Sequence, residues 1–205
     1  MKRRMNPKLL HFVLVGLLVG SCSRGGSSSL DAAVTSSATF GELPELVFLD
    51  GNRDEVSPAQ MRGSVWVLST VSTSLFSANK DFMERLLQVQ EILGGTDTRI
   101  VSLSMDPVGD TPEGLSTLAG RIGADPHFWS FWVGTEPNTA LLLHSAYRSA
   151  LVGVSAIEMD RFMSSSFESR VVAIDRQGEV RGTYDLLSSD GPELLLGKLR
   201  QLNKE

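Results

Sequence analysis

The spacing of apolar residues changes several times along the chain, and each change marks an element. Leu46, Val47, Phe48 and Leu49 form a short apolar run that ends in Asp50-Gly51-Asn52, and Val56 resumes it. Two short apolar segments around a tight-turn composition predict a small β-hairpin. Val65-Trp66-Val67-Leu68 is apolar on both faces, the pattern of a buried central strand. From Lys80 to Leu93 the apolar positions Phe82, Met83, Leu86, Leu87, Val89 and Leu93 follow helical spacing, and Gly94-Gly95 ends the run. Ile100, Val101, Leu103 and Met105 then predict a strand that partly alternates with Ser102 and Ser104.

After that strand, Asp106-Pro107-Val108-Gly109-Asp110-Thr111-Pro112-Glu113 reads as a loop entering a helix. Thr111 is placed to cap free backbone N–H groups, Pro112 suits the first helical position and Glu113 suits the positive helix end. Capping and turn duties account for these acids, and the alternative is a metal-binding role for Asp106 and Asp110. The helix runs to about Ile122, residues 128–133 are an aromatic strand candidate, and residues 137–149 form a further helix. Residues 170–174 and 179–184 flank Asp175-Arg176-Gln177-Gly178 as a hairpin, and residues 192–202 close the pattern as an amphipathic helix. Interleaved strands and helices predict an α/β layered sheet.

Length and composition limit this to one domain with an N-terminal appendage. The chain has 205 residues, of which 41% are hydrophobic and 21% charged; one core of about 150 residues is the expectation. Lys2, Arg3, Arg4 and Lys8 precede an almost wholly apolar stretch, residues 9–19, and Val19-Gly20-Ser21-Cys22 supplies small residues before a cysteine. This is the build of a signal peptide. About 11 apolar residues reach only half of a bilayer core, so a permanent transmembrane helix is disfavoured against cleavage, with an uncleaved anchor the alternative. Val-Gly-Ser-Cys resembles the lipobox at which bacterial lipoproteins are cleaved and diacylated on sulfur. That resemblance implies lipidation of Cys22 and export to the periplasmic or extracellular side of a bacterial membrane. The domain organisation expected is a leader at 1–21, a Ser/Gly-rich tether at 22–42 and a folded domain at 43–205. Removing the four positive charges of the leader takes the formal net charge from -5 to -9. An acidic domain offers no footprint for nucleic acid or anionic lipid.

Residues 43–202 resemble the SCO/SenC family, membrane-tethered thioredoxin-like proteins that carry copper and are named for synthesis of cytochrome oxidase. The strongest part is Ser104-Met105-Asp106-Pro107-Val108-Gly109-Asp110-Thr111-Pro112-Glu113, similar to the family's S-x-D-P-x-x-D-T-P-E. Gly123-Ala124-Asp125-Pro126 with Trp129, the strand entry Met61-Arg62-Gly63-Ser64-Val65-Trp66-Val67 and the hairpin from Val171 to Gly178 agree in order. Thioredoxins and peroxiredoxins share the layout but not the acid-rich loop. The resemblance implies a thioredoxin-like fold: a central mixed sheet flanked by helices, with an N-terminal β-hairpin.

Family members bind copper through C-x-x-x-C after the V-W-V strand and a histidine before the late hairpin. Counted without a gap from Gly63, the cysteine positions hold Leu75 and Asn79, and a one-residue slip gives Ser74 and Ala78. Counted back from Gly178, the histidine position holds Phe167. Cuprous copper and thiol exchange both require thiolates. The single cysteine is Cys22, on the tether, so thiol–disulfide exchange by this chain alone is excluded. Substitute ligands are conceivable at His127, His144, Met159 and Met163, the methionines at i, i+4 spacing, although core packing explains paired methionines equally simply. Leu75 and Phe167 either bury each other or, with Phe76, form a docking patch.

No Walker loop, dinucleotide fingerprint, H-E-x-x-H or C-x-x-C is present, and the serine tracts at 27–29 and 164–166 lack a nucleophile context. The expectation is therefore a non-enzymatic accessory or binding module without its own copper or cofactor. Its partners would be the membrane, through Cys22, and a respiratory-oxidase or copper-handling protein. A copper carrier with non-family or partner-supplied ligands and a thiol-independent enzyme are the alternatives.

Overall fold

A computed structural model describes residues 41–148 and 169–205. The hairpin forms as expected: β1 (Phe48–Leu49) pairs antiparallel with β2 (Glu55–Val56), and Asp50 Oδ1 accepts the N–H groups of Asn52 and Asp54 inside the turn. Leu49 also exchanges backbone hydrogen bonds with Val133 at 2.8 and 2.9 Å, which ties the hairpin to the main sheet. A single 3-10 turn, Pro58–Met61, follows with Ser57 and Gln60 in a capping box; the sequence pattern had not marked it.

The main sheet has five strands in the order β5-β4-β3-β6-β7. They are β3 (Trp66–Val71), β4 (Arg99–Ser104), β5 (Trp129–Trp132), β6 (Arg170–Ile174) and β7 (Val180–Asp185). The first three are mutually parallel, β6 is antiparallel to β3, and β7 is antiparallel to β6. Every residue of β3 is buried, as its two-faced apolar pattern required. Between the strands lie α1 (Lys80–Leu93), α2 (Pro112–Ile122) and α3 (Glu136–Tyr147), and α4 (Gly191–Leu202) follows β7. Mixed pairing with helices on both faces is the layered architecture expected from the sequence.

Period-two alternation assigns the strand residues to two cores. Val65, Val67 and Val71 pack with Phe82, Leu86 and Val89 of α1, Leu115 of α2 and Leu195 and Leu199 of α4. Trp66 and Leu68 face the other way, onto Phe48 and Leu142, Leu143 and Ala146 of α3. Both faces of β3 are therefore spent on packing, and only its C-terminal end is left for chemistry.

Two features of β4 differ from a half-exposed strand. Ser102 and Ser104 are fully buried, and Ser102 Oγ lies 2.6 Å from Ser69 Oγ and accepts the Trp129 Nε1–H at 2.8 Å. The serines are thus an internal hydrogen-bonded layer, which is what makes their burial tolerable. Met105, expected within the strand, lies just past its end and is 39% exposed.

Candidate functional site

The C-terminal ends of β3 and β4 open into a cleft of about 270 Å³ lined by Thr70, Val71, Ser72, Ser74, Leu75, Asn79, Met105 and Asp106. In open α/β sheets this is where ligands bind, because loops there are free of packing duties. Leu75 and Asn79, the positions counted from Gly63, both line it. Leu75 is 48% exposed. Asn79 is the N-cap residue of α1, but its side chain makes no capping bond; its backbone N–H donates to the carbonyls of Leu75 and Phe76 at 3.2 Å.

A buried carboxylate holds the loop that carries these residues. Asp110, 5% exposed, accepts the backbone N–H of Thr73 at 3.1 Å, the Thr73 hydroxyl, and the Ser104 hydroxyl at 2.7 Å. The D-T-P-E loop is thereby bonded both to the end of β4 and to the loop after β3. Asp106 keeps its own turn closed, accepting the Gly109 N–H at 2.9 Å, and Thr111 accepts the Gly114 N–H at 3.1 Å as the cap of α2. Gly123, with φ +82°, ends that helix in the left-handed conformation that favours glycine. Asp106 does the turn work and Thr111 the capping read from the spacing, while the Asp110 carboxylate instead bonds to the segments that end β3 and β4.

Among the described residues the donor set of this cleft does not fit a cuprous ion. Leu75 contributes hydrocarbon, Asn79 a carboxamide, the serines and threonine hydroxyls, and Asp106 a hard carboxylate; Met105 alone is soft. His127 and His144 are exposed on separate elements, the loop before β5 and α3. Among the described residues no group of three or more His, Cys, Asp or Glu could hold a metal ion. Phe167, Met159, Met163 and Cys22 lie outside the described residues. Phe76 is half-buried against the core, and the Arg121 guanidinium stands 4.6 Å from its ring centre, a cation–π contact. That contact ties Phe76 to α2.

Sequence reading missed the structural weight of Asp110 and of a second buried pair. Asp175, 4% exposed, accepts the Gln177 and Glu179 N–H groups and the Arg181 Nη1–H at 2.8 Å, and Arg181 also reaches Glu205 at 3.0 Å. The D-R-Q-G turn shows where Asp175 closes its backbone; nothing in the local pattern shows that Arg181 is buried above it.

No family model matches the chain. The SCO1 protein homolog of Bacillus subtilis is 23% identical over 161 residues, which cover 75% of this chain and 72% of that protein. The crystal structure of a SCO1/SenC family lipoprotein from Bacillus anthracis aligns at 18% identity over 78% of this chain and 94% of its own, with a TM-score of 0.51. Yeast Sco1 with copper bound aligns at 13% identity over 78% and 92%, with a TM-score of 0.56. The structural likenesses establish the thioredoxin-like fold. By its ordered motifs from Met61 to Gly178 and by the curated relative at 23% identity, the chain is similar to the SCO/SenC family.

Proposed function

We propose that this protein is an exported, lipid-anchored SCO/SenC-like accessory or binding module, linked to cytochrome c oxidase assembly or copper handling, that has no copper or thiol redox activity of its own. The link rests on the names of its relatives, one of them solved with copper bound. The anchor rests on the sequence Val-Gly-Ser-Cys22 and on the lipoprotein relative of Bacillus anthracis. No helix among the described residues is long and apolar enough to cross a membrane.

The observation that carries the loss of chemistry is Leu75 beside Asn79 in the cleft at the strand ends. A hydrocarbon and a neutral amide supply neither the anionic sulfur that holds cuprous copper nor a nucleophile for disulfide exchange. What the cleft retains is an open, mixed apolar and hydroxyl-lined surface on a rigid sheet, suited to contact with another protein.

Exposure of the purified protein to cuprous and to cupric copper, followed by dialysis and metal analysis, tests the reading; sub-stoichiometric copper is the expected result. Stoichiometric copper lost on changing Met159, Met163, His127 or His144 would instead establish a carrier with non-family ligands. Mass spectrometry of the membrane-extracted protein and of Cys22→Ser tests the anchor, and the diacyl mass should vanish with the cysteine.

A further inference from the structure

A groove of about 340 Å³ lies between α4 and β7 and shares no residue with the Leu75 cleft. Gly197 lies along it, and a Cβ built there would meet nothing within 4 Å, so the groove is open at the middle of the helix. Leu194, 39% exposed, supplies apolar surface. Two of the polar residues that line this groove, Lys198 and Tyr184, are unusual in being buried and underused.

Lys198 is 7% exposed and makes no salt bridge among the described residues; its Nζ has one partner, Gln201 Oε1, at 3.3 Å. An ammonium carries three donors, so two are unspent. A snorkelling lysine, the ordinary way to bury the stem, would leave its head in water. Tyr184, also lining the groove, is 3% exposed, and its hydroxyl has no hydrogen-bond partner. Nearby Arg181 spends Nη1 on Asp175 and Glu205 and leaves Nε unpartnered. Burial first, and then the Arg181 charge, holds Lys198 below the ordinary lysine value, with Glu205 offsetting part of the effect. A buried cation repelled by its neighbour is a cost that a bound anionic group removes.

We propose that this groove binds a small amphiphilic carboxylate, its oxygens accepting from Lys198 Nζ and its hydrocarbon lying along Gly197 and Leu194. Glu193 and Arg200, which also line the groove, offset each other in charge, so the ammonium of Lys198 is left to pair with a monoanion rather than a multiply charged phosphate.

The test is an amide-resolved NMR titration of the folded protein with sodium hexanoate, with inorganic phosphate and hexylammonium as controls. Saturable shifts at Tyr184, Gly197 and Lys198 are expected with hexanoate, weakened at least about tenfold in Lys198→Met. Gly197→Leu, whose Cβ meets nothing within 4 Å, should keep the fold and abolish the shifts. The proposal is overturned by an absence of saturable shifts, by equal affinity in Gly197→Leu, or by phosphate or hexylammonium binding as tightly as hexanoate. If Lys198→Met fails to fold, Gly197→Leu decides the matter.

Discussion

Asp110 is the perturbation that most directly tests how the site loop is held. Three donors converge on this carboxylate: two from half-buried Thr73 and one from fully buried Ser104. A hydrogen bond to a charged acceptor contributes about 1.5 kcal/mol net at the lower end, so the three sum to about 4 to 5 kcal/mol. In Asp110→Ala the Thr73 donors regain water and recover part of this, whereas the Ser104 hydroxyl stays dry, leaving a loss of about 3 kcal/mol. Asp110→Asn keeps the volume and one acceptor oxygen, and the Ser104 hydroxyl can turn to accept from the new amide, so only charge assistance is lost, about 1 kcal/mol. Urea denaturation at neutral pH measures both, with an unchanged m-value showing that the denatured state is not altered. The corresponding fall in Tm for the Ala variant is about 6 to 12 °C. An Ala variant within 1 kcal/mol of wild type, or an Asn variant as damaged as the Ala variant, would refute the reasoning.

Three further outcomes follow from the same geometry. Leu75→Asp alters a half-exposed side chain, so stability should stay within about 0.5 kcal/mol while any partner recovered from membranes with the wild type is lost; a large fall in the urea midpoint would show that Leu75 is core. Restoring thiols at the gap-free positions, Leu75→Cys with Asn79→Cys, should raise cuprous binding above that of the wild type, read by metal analysis after dialysis; no gain would favour the one-residue slip to Ser74 and Ala78. Burial raises the phenols of Tyr147, which donates to the Arg170 carbonyl at 2.8 Å, and of Tyr184 above their ordinary value of 10.0. A raised folded-state value stabilises the fold below pH 10.0 and is lost as pH rises past it, because only the unfolded chain then ionises. Urea midpoints should therefore fall above about pH 10, with a shallower fall in Tyr147→Phe.

Element types and most boundaries were legible along the chain because they rest on local spacing. The helical period of Lys80–Leu93, the Thr111-Pro112 start, the Gly123 stop and the Asp175–Gly178 turn each name their own conformation through neighbours a few residues away. The family motifs were legible for the same reason, as was the loss of thiolates, since a residue type needs no coordinates. Burial and partnership across the sheet were not. Ser102 and Ser104 look like the wet face of a strand until Ser69, Trp129 and Asp110 arrive from residues far away in sequence.

The chain by itself therefore determined which chemistry is missing: no cysteine thiol stands in residues 43–205, and no fold can supply one. Only the tertiary structure decided what the remaining polar groups do. It put Asp110 under the site loop, left Leu75 half in solvent and buried Lys198 and Arg181, two charged residues whose identity alone gives no sign of burial. The physical reason is that a residue's identity sets its donors, acceptors and charge. The cost or use of those groups depends on the dielectric and the partners around them, and distant segments bring these together.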